Sequence, residues 1–445
     1  MNLSIQTPGA TVRPLVLALL MGLAQSAALG QAAAPAAAPA AAPAAASASA
    51  PAGPTLRPTV ATPLQAAQIL LREGKHGDAL ARIKEAEAVG ELTPFETYIV
   101  QRIKAPALFS SGDLAGALTQ FEAALGSSLL PLAERPAILE TTIKLALQAK
   151  DYARARGWME QFLADKGQSA EIVRLYPQVL SVLGDHAAVI KALQPQIDDD
   201  QAAGRVTPEA TLRMLAASQS GAGNDMAYLQ TLQKLATSTG KTDYWAELIA
   251  RVAARPGFNQ ERLRLDVYRL RQAAGIALTA GELGDMAERA QQAGLPAEAQ
   301  KLLDDGFSSG LLGQDANAAA DRKLREQATK SAAQDRATLT EGEAGARTAK
   351  DGNAAHGLGF ALSGAGDHAR AMALMALGQS KGGLRRPDEA LLHLGIAVRR
   401  AGKIDEARKH FAAVAGQDGA ADLARLWALL PAAGAPAVAG SAPSR

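Results

Sequence analysis

The chain has 445 residues, 46 Lys+Arg against 44 Asp+Glu, 48% hydrophobic residues, 4% aromatic residues and no cysteine. A net charge of +2 with both signs interspersed leaves no concentrated basic face for nucleic acid. The lack of cysteine excludes disulfides, thiolate metal sites, iron–sulfur clusters, a thiol nucleophile and a lipidated N-terminal cysteine.

The length allows roughly three units of about 150 residues. Its apolar content comes from Ala and Leu, both strong helix formers, which predicts an all-α protein. In chain order, the first segment is 1–30. Arg13 precedes the apolar run Pro14–Leu23, and Ala28-Leu29-Gly30 ends it with small residues at the positions a signal peptidase reads. This predicts a secretory signal peptide cleaved after Gly30 and a periplasmic protein. The alternative is an uncleaved inner-membrane anchor extended through the following alanines, since a span needs about 20 apolar residues. Residues 31–63 are Ala- and Pro-rich and predict a disordered tether. Residues 431–445 share that composition and predict a disordered tail.

Between them a turn, a small residue and a bulky apolar residue four positions later recur. The clearest copies are Gly112-Asp113-Leu114 with Ala117, Phe121 and Ala124, and Gly402-Lys403-Ile404 with Ala407, Phe411 and Val414. Others centre on Ala79, Ala155, Val189, Ala299 and Ala371. Successive small-residue anchors lie 38, 38 and 34 residues apart from Ala79 to Val189, and 36 apart from Ala371 to Ala407. A constant period in the mid-thirties predicts stacked helical hairpins. Upstream of each turn, Leu391, Leu394, Gly395 and Val398, or Leu358, Gly359 and Leu362, form one apolar helical stripe. Gly on the first helix and Ala on the second let the two helices of a pair approach closely.

These residues resemble the tetratricopeptide (TPR) family, best at 391–414, then at 358–378 and 105–131. The resemblance implies a TPR-type α-solenoid, a right-handed superhelix of antiparallel helix pairs. N-terminal TPR-like repeats would occupy 64–200, divergent helical repeats 201–310, a helical connector 311–350, and C-terminal repeats with a capping helix 351–430. Its packing residues would be Ala79, Ala117, Phe121, Ala155, Ala299, Gly359, Ala371, Gly395, Ala407 and Phe411. The turn pattern is blurred at 200–280, and 311–350 is helix-prone but poor in large apolar groups, which fits a thin helical pair or a mobile connector.

Catalytic motifs are weak. His76, His186 and His368 share one repeat position, which a structural role explains better than catalysis. No histidine pair has the zinc-helix spacing. Gly364-Ala365-Gly366-Asp367-His368-Ala369 matches a dinucleotide fingerprint but follows a helix, where that motif needs a strand. Asp198-Asp199-Asp200 reads as a solvated loop. No enzyme activity and no cofactor or metal site are expected.

Family members bind partners on the first-helix face, 13, 10, 6 and 3 residues before the turn glycine. Here that implies Asn353, His356, Phe360 and Ser363 in one repeat and Glu389, Leu392, Ile396 and Arg399 in the next, a groove partly apolar and partly basic. Phe360 and Ile396 alternatively pack against neighbouring helices. A second surface candidate is Arg251, Arg255, Arg262, Arg264, Arg269 and Arg271, suited to carboxylate or phosphate or simply to a solvated helix face. The predicted function is a periplasmic scaffold that holds a peptide or amphipathic helix of an envelope assembly, secretion or transport component, with no nucleic acid partner and no integral membrane segment after cleavage. The alternative is a glycan- or lipid-binding protein or enzyme acting through residues 200–350.

Overall fold

A computed structural model describes residues 55–432, so the predicted signal peptide, most of the tether and most of the tail lie outside the described residues. Twenty-one helices and no strand occupy the described part, an all-α array of antiparallel helix pairs of TPR type. The helices are α1 Pro58–Arg72, α2 His76–Glu87, α3 Pro94–Ser111, α4 Leu114–Leu125, α5 Arg135–Gln148, α6 Tyr152–Ala164, α7 Ala170–Val182 and α8 His186–Ala202. They continue with α9 Glu209–Gly221, α10 Asp225–Thr239, α11 Thr242–Ala253, α12 Gln260–Ala273, α13 Ala280–Gln292, α14 Pro296–Ser308 and α15 Ala318–Ala337. Last come α16 Leu339–Thr348, α17 Asn353–Gly364, α18 His368–Lys381, α19 Pro387–Arg400, α20 Ile404–Ala412 and α21 Ala420–Leu429. The chain divides into two compact units between Pro195 and Gln196, inside α8.

One local device builds the hairpins. At the end of α3 the Asp113 N–H donates to Leu108 O (2.9 Å), six residues round the turn, while Gly112 sits at φ +92°. Such a left-handed C-terminal residue costs glycine nothing. The Asp113 carboxylate then accepts from the Gly116 N–H (2.8 Å) and caps α4. The same pair of bonds recurs at Asp151, Asp185, Asn224 and Asp367. Four residues past each cap lies the anchor: Ala79, Ala117, Ala155, Ala299, Ala371 and Ala407 are all buried at 0–1% exposure. A Cβ added to Gly395 would meet the Phe411 ring at 2.4 Å, and one on Gly359 would meet Met375 Cγ at 2.6 Å. These contacts are the close approach that the repeat demands.

The blurred stretch follows the same rule with different residues. Asn224 and Asn259 cap α10 and α12, and the anchor positions hold Tyr228 and Leu263 in place of Ala. Both are buried, at 8% and 0% exposure, so the larger side chains take the anchor's place in the core. Two boundaries differ from the sequence reading. Helix α1 starts at Pro58, inside the stretch read as tether, because proline is tolerated in the first turn of a helix. Asp198–Asp200 is helical, not loop, and Asp200 accepts from Arg205 (3.0 Å).

In the first unit the apolar residues form two clusters, one around Leu64, Ile83 and Ile103 and one around Phe121, Ile143 and Met159. The second unit has one main core, running from Leu212 to Leu430. That core is continuous because the C-terminal helices return to the middle ones: α17 packs on α14, and α21 on α12. Helices α15 and α16 bury only alanines and Asp321.

Candidate functional site

The residues predicted to line a groove on α17 and α19 are instead where the second unit closes on itself. Leu392 and Ile396 are fully buried, and Phe360 is 4% exposed within the same core as residues of α12 to α14. The Phe360 ring is stacked on His393 (4.1 Å between centroids) and lies beneath the Arg269 guanidinium (4.8 Å). His356 is 9% exposed, 6.1 Å from the His393 ring, with neither ring nitrogen hydrogen-bonded. The hydroxyl of Ser363 is likewise buried and unbonded.

Glu389 pairs with Arg262 (3.1 Å). Arg399 donates to Leu430 O (3.3 Å) and so fastens the end of α21. Asn353 ties down the 383–385 loop, donating to Gly383 O (3.0 Å) and accepting from the Arg385 N–H (3.0 Å). Phe360, Leu392 and Ile396 are thus closed off in the core, whereas Asn353, Glu389 and Arg399 stay half-buried. The register placed them on one helix face; what covers that face comes from α12 and α14, distant in the chain.

At the centre of the closure is a buried charge network. Arg269 on α12 donates to both oxygens of Glu298 on α14 (2.9 and 2.7 Å) and to Asp266 (2.7 Å). Arg400 reaches Glu298 (3.2 Å), and His393 Nε2 lies 3.2 Å from both Asp266 oxygens. Burial alone would raise the Glu298 carboxyl, but Arg269 and Arg400 outweigh it and hold it at about 2. For Asp266 burial is again opposed, and His393 with Arg269 keeps it well below the ordinary carboxylate range. At neutral pH the two carboxylates and two guanidiniums therefore stay ionised. The remaining candidate arginines are similarly engaged by this chain: Arg251 with Glu247, Arg255 with Asp422, Arg262 with Asp418, Arg264 with Asp285 and Arg271 with Glu282. The predicted arginine surface is thus a set of internal ion pairs.

In the first unit, α7 keeps the equivalent positions accessible. Counting back from the α7 turn at Gly184 gives Glu171, Arg174, Gln178 and Ser181; Arg174 is exposed and Gln178 half-buried. On α5 the matching residues include Glu140 and Lys144. Lys144 contacts Glu140 (2.9 Å) and, across to α7, Glu171 (3.2 Å). Burial lowers the Lys144 pKa, yet the two glutamates more than restore it. Arg102 on α3 pairs with Glu134 (2.6 Å). A row of ion pairs therefore follows α3, α5 and α7, with the Arg102 and Lys144 cations largely buried and the glutamates more exposed. The rule applied to the C-terminal repeats, carried to these helices, would have found it.

Among the described residues no group of three His, Asp or Glu is placed to hold a metal, and no helix is long and apolar enough to cross a membrane. His76, His186 and His368 each open a second helix, with a buried Nδ1 that has no hydrogen-bond partner.

The fold and this face define a helical-repeat protein of TPR type. No family model matches the chain, and no curated protein matches it. Among solved structures it is similar to Naa15/Naa10 bound to HypK-THB, at 13% identity and a TM-score of 0.29, covering 79% of this chain and 62% of that one. It therefore spans less than two thirds of that chain's length. It is also similar to yeast Tom70 (12% identity, TM-score 0.23, 83% of this chain and 94% of that one). A third similarity is to the TPR domain of P58(IPK) (14% identity, TM-score 0.18, 82% and 98%). Overlaps this loose carry nothing about function, which rests here on the helices themselves.

Proposed function

We propose that the protein is a non-enzymatic interaction scaffold of the bacterial envelope, exported by its N-terminal segment, and that it docks partners on the α3–α5–α7 face of its first unit. The observation that carries this reading is the accessible polar face of α7. Helices α17 and α19 turn their counted positions into the core of the second unit, whereas α7 leaves Arg174 and Gln178 accessible beside the Lys144–Glu171 pair. Partly exposed glutamates beside Arg174 suit a peptide or amphipathic helix carrying both signs, and repeat arrays present such extended surfaces.

Affinity capture of the mature chain from envelope fractions, with Arg174→Glu/Gln178→Ala in parallel, tests the docking face. A stoichiometric protein partner retained by wild type and lost by the variant is expected; capture of no protein by wild type would overturn it. Phe360→Ala is unsuitable for this purpose, since it opens a cavity in the core. N-terminal sequencing of the exported chain should begin at Gln31. The second reading, a glycan or lipid ligand held by residues 200–350, has in its favour a cavity between α13 and α15, but the acidic walls of that cavity disfavour anionic headgroups.

A further inference from the structure

A cavity of about 440 Å³ opens between α13 and α15. Ala280, Gly281, Gly284, Ala320 and Leu324 give it small and apolar surfaces, and four carboxylates line it: Asp285, Glu288, Asp315 and Asp321. Three of them have partners in the chain. Asp285 accepts from Arg289 (3.0 Å) and Tyr268 (2.9 Å), Glu288 from Gln292 (3.1 Å), and Asp315 from the Asn317 N–H (2.9 Å).

Asp321 differs. It is 8% exposed, and its carboxylate has no hydrogen bond or ion pair among the described residues. One oxygen lies 3.5 Å from where a Cβ on Gly284 would stand, and both residues line the cavity. Its electrostatic neighbour is Asp315, a like charge; burial first and this neighbour second push the Asp321 carboxyl up. Lys323, also on the lining, forms no ion pair with either. Buried polar side chains nearly always find a partner, and the Asp321 carboxylate, which is not closed off from solvent, lines the cavity with none. What this site lacks is an N–H cation with an apolar stem. No three ligating side chains converge here as a metal ion would require.

We propose that the α13–α15 cavity binds an organic cation, an ammonium or guanidinium group, with Asp321 as its anchoring carboxylate and Asp285, Glu288 and Asp315 shaping the field around it. Leu324 and the alanines contact the methylenes of the cation. The ligand's chemistry is shared by a free polyamine and by a lysine or arginine side chain of a peptide. This inference is independent of the docking face on the first unit.

Titration calorimetry on the full chain with spermidine, with Nα-acetyl-arginine methylamide and with calcium chloride tests it. Saturable binding of an organic probe, weakened about tenfold or more by Asp321→Asn, is the expected result. Spermidine binding alone identifies a free polyamine, and binding of the arginine derivative identifies a side chain. Asp321→Asn should also raise the thermal midpoint of the ligand-free protein by relieving repulsion from Asp315, which shows that the variant is folded. Glu288→Gln, at an exposed lining position, provides a second variant with a smaller loss of affinity. Binding of neither organic probe, binding unaffected by Asp321→Asn, or binding of calcium only would overturn the proposal.

Discussion

Lys150 occupies the left-handed turn position that glycine holds in the neighbouring hairpins, at φ +57°. A side chain there is strained, so Lys150→Gly should stabilise the first unit by up to about 1 kcal/mol, less any entropy the glycine returns to the unfolded chain. Urea unfolding followed by circular dichroism measures this, and a lower midpoint for the variant would contradict it. His356 makes a second residue-scale case. Burial pushes its pKa down from 6.5 to about 4, with the neighbouring His393 acting in the same direction. Below pH 6.5 the unfolded chain gains a proton at this ring that the folded chain refuses. Stability therefore falls as pH drops from 6.5 through 4, by up to about 3 kcal/mol for this group. His356→Phe should remove that part of the dependence in urea midpoints compared at pH 7.5 and pH 5; equal slopes for wild type and variant would count against it.

Helices make sense in terms of what the sequence could and could not show. The hairpins with Gly-Asp turns and Ala anchors were legible because cap, turn and anchor are all local. The α9–α10 hairpin was obscured by Tyr228 at an anchor, although its Gly223-Asn224 turn is regular, with Gly223 at φ +70°. The burial of Phe360, Leu392 and Ile396 was hidden for a different reason. Position on a helix face is encoded within one repeat, but the bonds of Asp266 to His393 and of Glu298 to Arg400 span 127 and 102 residues. Nothing in the period announces such pairs. Because Arg269 is the shared donor of that network, Arg269→Met leaves two buried carboxylates short of a partner and should cost about 3–5 kcal/mol. Chemical denaturation of the second unit provides the measurement, and a loss below about 1 kcal/mol would show that the network is dispensable. Helices α15 and α16, whose buried residues are Ala328, Ala332, Ala346 and Asp321, should exchange their amide protons faster than α13 and α14. Equal protection by hydrogen-exchange mass spectrometry would contradict that ordering.

The chain as a whole uses one repeat in two ways. Helix α7 keeps its first-helix face accessible beside the Lys144–Glu171 pair, and α17 and α19 close theirs with α12 to α14. Sequence reading recovered the all-α repeat class but assigned the docking role to the unit whose face is filled. It did so because the C-terminal repeats match the family pattern most closely, and closeness to a packing pattern reports packing. The division of labour is tested most directly by site-specific photo-cross-linking in intact cells, with the probe at Arg174, at Gln178 and, as a control away from the face, at exposed Met226. Adducts to one partner protein from positions 174 and 178 but not from 226 are expected. Adducts from 226 with none from 174 and 178 would contradict the account.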